Sequence, residues 1–319
     1  MRLAFDARTI GDHYPGIGRY AHGLLQALGE RVSVALYEPA LKETRFGSGG
    51  KRVACAGVRS PLAQLQAPLI ARSADLYYSP YYLMPYALPC PAVVTLYDAT
   101  PLKGPGLSTM GRALYKIANR LASGVAKKVI VLSESAREEM AEIGVPRNKM
   151  VVCPPGLPDR FRPESARAIA EVTAAYNFPE SFWLCFGSAR WHKNVQAAVL
   201  AAGAEPLVIV EGAVREADLP ALYSAARGLI FPSLREGFGL PIIEAMACGA
   251  PVACLPAPGV REAAGGAAMM AEDMTTEALA EAVRRLADPA VREAKREAGL
   301  EWARRFTWGA TVQAIESAL

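Results

Sequence analysis

Short apolar runs alternate with segments of helical periodicity along this chain of 319 residues. This alternation predicts parallel sheets, because two parallel strands need a crossover connection, which is usually a helix. The predicted strands are MRLAFDA, RVSVALYE, ADLYYS, AVVTLYD, KKVIVLS, FWLCFG, PLVIVEG, GLIFPS and PVACLP. The predicted helices cover residues 20–28, 107–123, 134–143, 195–202, 219–226, 241–248 and 276–286. We therefore predict the α/β fold class.

The length of the chain predicts two domains, since a single hydrophobic core rarely serves more than about 250–300 residues. The run Cys153-Pro154-Pro155-Gly156-Leu157-Pro158 can continue neither a helix nor a strand. Consecutive prolines and a glycine are typical of a linker. We therefore place the boundary between the two predicted domains in this run.

Composition excludes several classes of protein. Hydrophobic residues make up 52% of the chain and charged residues 21%, which is typical of a folded globular protein. The six cysteines form no C-x-x-C pair and there are only three histidines, so we expect reduced thiols and no metal site. Neither a signal peptide nor an apolar run of membrane-spanning length is evident, and we expect a cytoplasmic protein.

The segment from Phe231 to Pro251, FPSLREGFGLPIIEAMACGAP, predicts a strand end, a glycine-rich loop and a helix that begins at Pro241. The backbone N–H groups of the loop then lie at the positive end of the helix dipole, where phosphate oxygens bind readily. The predicted phosphate ligands are Gly237, Phe238, Gly239 and Leu240.

Two carboxylates flank this loop. Glu244 is expected in the first turn of the helix, where it can accept two hydrogen bonds from a ribose diol, and Glu236 is expected on the loop side, facing the sugar. The alternative is that a glutamate in a first helical turn only complements the helix dipole.

The stretch PSLREGFGLPIIEAMACGAPV resembles, almost position by position, the Glu-x7-Glu signature of retaining glycosyltransferases of family 4. The resemblance implies the GT-B fold of two facing Rossmann-like domains. Asp6-Ala7-Arg8 with Gly16-Ile17-Gly18-Arg19-Tyr20 resembles the opening of bacterial mannosyltransferases of this family. The resemblance implies transfer of a hexose, mannose-like, from a nucleoside-diphosphate sugar to a glycan or lipid-linked acceptor. No cofactor is implied beyond the donor itself.

The C-terminal stretch EWARRFTWGATVQAIESAL resembles the terminal helices that return to the first domain in GT-B enzymes. Phe306 and Trp308 are its expected packing anchors. The resemblance implies a first, acceptor-side domain of residues 1–157 plus 302–319 and a second, nucleotide-sugar-binding domain of residues 158–301.

A second motif, FGSARWHKN, follows the predicted strand FWLCF. Lys193 occupies the family's lysine position, which implies that it offsets the growing charge of the leaving diphosphate. His192 stands where many relatives have arginine, and Ser188 is expected to add a hydroxyl contact to the donor. The alternative for Lys193 is an ordinary solvated charge in a loop.

The stretch GIGRYA matches G-x-G-x-x-A, and Glu38 follows Gly18 by 20 residues, so a nicotinamide oxidoreductase is an alternative function. That fingerprint requires a tight turn after the strand, but here Arg8 to Pro15 intervene. The resemblance instead implies that Gly16 and Gly18 approach the donor sugar. Glycines that merely relieve crowding in a turn are a third interpretation.

Tyr97 and Asp98 end another predicted strand. Relatives commonly have His-Asp here, so the resemblance implies that Tyr97 lies near the donor sugar and that Asp98 binds sugar hydroxyls. A phenol can donate a hydrogen bond but does not exchange its proton near neutral pH. An Asx cap is the alternative for Asp98. A non-catalytic sugar-nucleotide-binding protein is a further alternative, in which Tyr97 and His192 mark lost activity.

The chain contains no Asp-x-Asp motif, which predicts a reaction without a metal ion. The resemblance implies retention by front-face attack, with Glu236, Lys193 and Asp98 as the catalytic residues.

Arg112, Lys116 and Arg120 recur every four residues, which predicts one basic stripe on a helix. The stripe is either a solvated helix face or a contact with anionic lipid at the inner face of the membrane. Nucleic-acid binding is not expected, because no aromatic residues interleave with the charges.

Overall fold

The computed structural model describes residues 2–11, 15–39, 52–212 and 214–317. The chain forms two compact units. The first runs up to Gly156 and resumes at Trp308, and the second runs from Leu157 to Thr307. The predicted domains were 1–157 plus 302–319 and 158–301. The start of the predicted strand MRLAFDA, and residues 12–14 of the loop between Arg8 and Pro15, lie outside the described residues.

The first unit contains a seven-stranded sheet in which neighbouring strands pair in parallel. Its strands are β1 (Leu3–Asp6), β2 (Val32–Tyr37), β3 (Arg52–Ala54), β4 (Leu76–Ser79), β5 (Ala92–Thr95), β6 (Lys128–Val131) and β7 (Met150–Val152). They lie in the order β3-β2-β1-β4-β5-β6-β7. The strand order therefore reverses at β1, and the carboxyl ends of β1 and β4 flank a switch point of the kind where open parallel sheets bind ligands.

Helices cover both faces of this sheet. They are α1 (Pro15–Leu28), α2 (Ala63–Ala71), α3 (Thr100–Lys103), α4 (Thr109–Val125), α5 (Glu134–Glu142) and α13 (Trp308–Ser317), with 3₁₀ turns at Gly29–Arg31 and Arg147–Lys149. Ala67 of α2, Ala122 of α4 and Met140 of α5 share one buried cluster with the strands, so these three helices pack on the same side of the sheet.

The second unit contains a five-stranded parallel sheet. Its strands are β8 (Trp183–Phe186), β9 (Leu207–Val210), β10 (Gly228–Phe231), β11 (Val252–Cys254) and β12 (Met269–Met270). They lie in the order β12-β11-β10-β8-β9, so the chain runs from β8 to β9 on one side and then crosses to β10 on the other. The switch point of this sheet lies between β8 and β10.

Seven α-helices are described in the second unit. They are α6 (Ala166–Ala175), α7 (Val195–Ala202), α8 (Leu219–Ala225), α9 (Leu240–Ala247), α10 (Val260–Ala264), α11 (Thr276–Ala287) and α12 (Pro289–Ala303), with 3₁₀ turns at Trp191–Lys193 and Glu216–Asp218. The core cluster combines Trp183 and Ile230 of the sheet with Ala198 of α7 and Leu279 of α11.

The predicted α/β class with parallel sheets is confirmed. The sequence analysis missed strands β3, β7 and β12, which are only two or three residues long and therefore show no periodicity. None of the helices in the described ranges combines the length and apolar character that a bilayer-spanning segment needs. The cytoplasmic location stays a prediction.

Candidate functional site

The loops that follow β8 and β10 lie side by side in the second unit. Leu184 of β8 pairs with Leu229 of β10 in parallel, so both strands end at the same edge of the sheet. The two sequence motifs FGSARWHKN and REGFGLP begin at these ends. The parallel register therefore brings the predicted lysine and glutamate motifs together at the switch point of the sheet.

Lys193 and Glu236 form an ion pair across the two loops. The Lys193 ammonium donates to Oε1 of Glu236 at 2.8 Å, and the two side chains are only 20% and 16% exposed. The same ammonium lies 5.8 Å from the centroid of the Phe231 ring, within the range of a cation–π contact. Two of the predicted catalytic residues thus meet here, each offsetting the other's charge in a partly desolvated place.

Backbone contacts reinforce this junction. The Leu234 amide donates to the His192 carbonyl at 2.8 Å, and the Asn194 side chain donates to the Pro232 carbonyl at 3.2 Å. Asn194 adopts a left-handed conformation, φ 48° and ψ 41°, which asparagine tolerates better than most residues. Sequence reasoning missed the role of Asn194, although a lone asparagine directly before a helix is a signal for a special backbone position.

His192 is half-buried in the turn before Lys193. Burial lowers the pKa of its imidazole below the usual 6.5, and the charges of Lys193 and Arg190 lower it further, while Glu236 opposes the shift. The imidazole is therefore neutral near pH 7. Lys193 is then the cation that this turn presents beside the carboxylate of Glu236.

Gly259 holds the backbone of Glu236 in place. A Cβ atom at this glycine would lie 2.2 Å from the carbonyl oxygen of Glu236, and its φ of +74° favours glycine independently. The loop after β11 therefore packs directly on the glutamate loop. Sequence reasoning missed this contact, because Pro-Gly in APGV indicates only a turn.

The predicted phosphate-binding loop ends at the start of α9. Gly239 has a φ of +112° at the N-cap and, as a glycine, has no side chain with which to cap the helix. The Phe238 side chain is buried and packs edge-to-face on Phe306 at 5.6 Å between ring centroids, so Phe238 can offer a ligand only its backbone. Binding of an anion by the backbone of Gly237 to Leu240 at the start of α9 stays a prediction.

The predicted place of Glu244 is wrong. Helix α9 begins at Leu240, one residue before Pro241, and no acidic residue lies in its first turn. Glu244 is in the second turn, is fully buried and accepts a hydrogen bond from the hydroxyl of Tyr223 at 2.8 Å. Gly239, whose backbone is left-handed, is the N-cap directly before Leu240. The contact of Glu244 with ribose stays a prediction.

Ser188 follows the closely packed Gly187 at the end of β8. A Cβ at Gly187 would lie 2.9 Å from the side chain of Ile209, so a larger residue would require that side chain to shift. The Ser188 hydroxyl accepts a long hydrogen bond of 3.4 Å from the Arg190 amide, which shapes the turn toward Lys193. No contact that the structure describes tests the predicted role of Ser188 toward the donor.

Tyr97 and Asp98 belong to the first unit, at the end of β5. The Tyr97 hydroxyl donates to the Pro80 carbonyl at 2.9 Å, and burial raises its pKa well above 10, so the phenol keeps its proton. Asp98 accepts from the Thr100 amide at 2.8 Å, which is the Asx cap that the sequence left open. The predicted roles of both side chains toward sugar hydroxyls stay predictions.

Gly16 and Gly18 lie inside α1, which already begins at Pro15. A dinucleotide fingerprint needs its first glycine in a tight turn directly after the strand, but β1 ends at Asp6. The glycines therefore do not occupy the positions of that fingerprint. Their approach to a donor sugar stays a prediction.

The predicted basic stripe is largely engaged by the protein itself. The Arg112 guanidinium donates to the carbonyl of Leu102 in α3 and to the carbonyls of Gly104 and Leu107, which follow that helix. Arg120 donates to the Ile143 carbonyl at 2.6 Å, and Lys116 is exposed. Two of the three cations thus satisfy carbonyls of neighbouring segments, and contact of this stripe with a membrane stays a prediction.

Two family models match the chain. One, described as glycosyl transferase 4-like domain, matches residues 15–156, and the other, described as glycosyl transferases group 1, matches residues 165–288. The chain is 27% identical over 280 residues to the O-antigen chain mannosyltransferase B of Escherichia coli, covering 76% of this chain and 73% of that protein.

Over 101 residues the chain is 40% identical to the D-inositol 3-phosphate glycosyltransferase of Salinispora tropica, covering 30% of this chain and 20% of that protein. Among solved structures it is similar to Anabaena HepE in complex with UDP, with a TM-score of 0.77 and 18% identity over 99% of both chains. This likeness shows the GT-B fold.

Proposed function

Because the chain belongs to glycosyltransferase family 4, we propose that it transfers a mannose-like hexose from a nucleoside-diphosphate sugar to a glycan or lipid-linked acceptor. The observation that carries the proposal is the ion pair of Lys193 and Glu236 at the switch point of the second sheet, beside the glycine-rich start of α9.

The loop from Gly237 to Leu240 would bind the diphosphate. Its backbone N–H groups and the positive end of α9 favour phosphate oxygens, and Lys193 supplies a full positive charge on the neighbouring loop. Negative charge grows on the diphosphate as the glycosidic bond breaks, and a fixed cation stabilises that charge most in the transition state. The chain's own groups would thus compensate the charge without a metal ion.

Glu236 would change partners when the donor binds. In the structure its carboxylate accepts a hydrogen bond from Lys193 at 2.8 Å. Phosphate oxygens would compete for the ammonium, and the Glu236 carboxylate would then accept hydrogen bonds from sugar hydroxyls. The pair is therefore a preformed arrangement in which both partners are held near the reacting groups before the substrate arrives.

Transfer would proceed with retention by front-face attack. The bond from the anomeric carbon to the diphosphate oxygen breaks, the acceptor oxygen bonds to the same carbon, and the acceptor proton passes to the departing phosphate. No carboxylate of this chain is assigned as a nucleophile. Asp98, Tyr97, Gly16 and Gly18 of the first unit would contact sugar or acceptor hydroxyls, as the family resemblance implies.

The proposal names the class of the donor, a nucleoside-diphosphate sugar, and leaves its base and sugar to experiment. The name of the E. coli relative refers to mannosyl transfer, whereas Anabaena HepE was solved in complex with UDP. A thermal-shift screen of GDP, UDP, dTDP, ADP and CDP, with NAD and NADP beside them, separates these donors, because a ligand that binds only the folded state raises its stability. We expect a selective shift with one nucleoside diphosphate that EDTA does not change. A shift with NAD or NADP alone would overturn the proposal.

Turnover is then measured with the matching nucleotide sugar. Lys193→Met should lower the transfer rate by about a hundredfold to a thousandfold, as expected when a charge-stabilising group is removed. The control is Arg167→Met, which breaks the exposed ion pair with Glu171 on α6 in the same unit. Near-normal transfer by Lys193→Met would contradict the phosphate role of the lysine.

A further inference from the structure

Trp191 is an exposed aromatic residue in the turn that carries Lys193. It begins the 3₁₀ turn Trp191–Lys193, and 38% of its surface is accessible to solvent. Another tryptophan of the same unit, Trp183, is fully buried. A large aromatic side chain that stays in water forgoes favourable burial, so an exposed indole at the candidate site points to a ligand that covers it.

Main-chain hydrogen bonds fix the turn on both sides of His192. The Lys193 amide donates to the Arg190 carbonyl at 3.0 Å, and the Leu234 amide donates to the His192 carbonyl at 2.8 Å. The indole of Trp191 is therefore attached to a backbone that is already ordered. Such a backbone loses little conformational freedom when a ligand binds, which favours binding.

The imidazole of His192 packs against the indole and leaves part of it open. The centroids of the two rings are 5.7 Å apart, and the ring planes meet at 82°. In an edge-to-face pair, one ring covers at most one of the two faces of the other. At least one face of the Trp191 indole is therefore not covered by His192.

The groups around the indole have the chemistry that a sugar ring needs. A pyranose carries hydroxyls at its rim and C–H groups on its faces, and the negative face of an aromatic ring attracts C–H groups of partial positive charge. Lys193 and Glu236 supply a cation and a carboxylate for the polar groups of the same ligand. A nucleobase could also stack on an indole, but in a nucleotide sugar the diphosphate separates the base from the hexose that Glu236 is proposed to meet.

A protein partner fits this residue less well. Aromatic anchors of protein interfaces lie in a patch of well-packed contacts that excludes water. Here the turn around the indole is mostly polar, with Ser188, Arg190, His192 and Lys193.

We propose that Trp191 is a stacking platform for a pyranose ring beside Lys193 and Glu236, and that it thereby helps to select the substrate. The inference rests on the proposed function, because it presumes that these two residues bind a nucleotide sugar. The pyranose belongs either to the donor hexose or to the terminal sugar of the acceptor. Both rings offer the same C–H face, and the experiment separates them.

Acrylamide quenching of tryptophan fluorescence tests the contact directly. The difference in quenching between the wild type and Trp191→Phe reports Trp191 among the four tryptophans of the chain. The probes are GDP-mannose with GDP and UDP-glucose with UDP, each with and without methyl α-mannopyranoside. We expect the nucleotide sugar that binds to shield Trp191 from acrylamide, and its nucleoside diphosphate to leave the quenching unchanged.

Each outcome assigns the ring or excludes it. Shielding by the nucleotide sugar alone assigns the donor hexose, and shielding that appears only with methyl α-mannopyranoside assigns an acceptor ring. Equal shielding by a nucleoside diphosphate and its nucleotide sugar overturns the inference, as does quenching that no probe changes although a nucleotide gives a thermal shift. Absence of a thermal shift with every nucleotide would contradict the proposed function itself.

Kinetics separate stacking from a role in the shape of the turn. Trp191→Leu keeps an apolar side chain but removes the aromatic face, and it should lower kcat/KM for the stacked substrate by about threefold to tenfold. The Kd of the nucleoside diphosphate should stay unchanged, and Trp191→Phe should recover part of the loss.

The control is Leu200→Ala, which shortens a side chain of α7 that is 59% exposed and should keep the wild-type rate. If Trp191→Leu weakened binding of the nucleoside diphosphate as much as it lowered kcat/KM, Trp191 would only shape the turn of Lys193. That result would overturn the inference.

Discussion

The Lys193 ammonium lies 2.8 Å from the Glu236 carboxylate, although the two residues follow different strands of the second sheet. Parallel pairing of β8 with β10 produces this proximity, because it places both strand ends at one edge. The same edge carries the left-handed Gly239 at the start of α9. One feature of topology thus assembles a cation, a carboxylate and a helix N-terminus from two separate sequence motifs.

Substitution of the two glutamates should separate turnover from nucleotide binding. Glu236→Gln should lower kcat by about a hundredfold, because it weakens the positioning of the sugar, and should leave the Kd for the nucleoside diphosphate nearly unchanged. Glu244→Gln should mainly weaken nucleotide binding. Calorimetric titration and initial rates measure the two effects. Equal losses of nucleotide affinity in both variants would contradict this division of roles.

A side chain at Gly259 should disturb the site through the backbone of Glu236. Gly259→Ala places a Cβ about 2.2 Å from the Glu236 carbonyl oxygen, and the alanine would have to adopt the φ of +74° that Gly259 has. We expect a loss of about 1–3 kcal/mol in the free energy of unfolding and a lower kcat. Gly266→Ala is the matched control, because nothing lies within 4 Å of its added methyl. Denaturant unfolding measures the loss of stability, and initial rates measure the change in kcat. A wild-type rate in Gly259→Ala would show that the position of the Glu236 loop does not matter for turnover.

The hydroxyl of Tyr223 orients the buried carboxylate of Glu244 at 2.8 Å. Tyr223→Phe removes this donor, and a buried acceptor that loses a partner costs about 1–3 kcal/mol. We expect lower stability in denaturant unfolding together with weaker binding of the nucleoside diphosphate. Lower stability with unchanged nucleotide affinity would show that the Tyr223 hydrogen bond serves only the fold.

Because the pKa of His192 is lowered in the folded protein, the second unit should become less stable as the pH falls. Burial lowers this pKa in the folded state, so the unfolded chain binds more protons as the pH falls through 6.5 and below. The contribution of the neutral imidazole is complete above about pH 6.5 and is lost on acidification. His192→Gln cannot be protonated, and we expect it to lose less free energy of unfolding than the wild type between about pH 7.5 and 5. Parallel pH dependences of the two proteins would contradict the shift.

Sequence patterns predicted the longer strands, because an apolar run between turn residues is local information. The family resemblance assigned Lys193 and Glu236 to one site, and the structure brings these two residues together. The place of Glu244 could not be predicted to the same extent. Helix α9 begins one residue before Pro241, and the hydrogen bond from Tyr223 to Glu244 joins residues 21 positions apart, which no local pattern indicates.

Contacts between distant segments were also beyond sequence reasoning. Gly259 is constrained by the carbonyl of Glu236, a contact that no local pattern indicates. The buried side of helix α4 was not predicted from the sequence. Amphipathic helices usually bury their large apolar side, whereas this one buries Ala122 and Ser123 and exposes Leu114.

Two glycines of α1 should respond in opposite ways to the same substitution. A Cβ at Gly23 would lie 2.2 Å from the indole of Trp308, whereas nothing lies within 4 Å of one at Gly16. Gly23→Ala should therefore displace α13 from α1 and destabilise the first unit by about 1–3 kcal/mol, as overpacking does. Gly16→Ala should stabilise it by up to about 1 kcal/mol, because alanine favours the helix. Denaturant unfolding measures both changes in stability, and initial rates test the predicted role of Gly16 toward the donor. A lower transfer rate in Gly16→Ala without lower stability would support that role. An unchanged transfer rate would exclude Gly16 from the site.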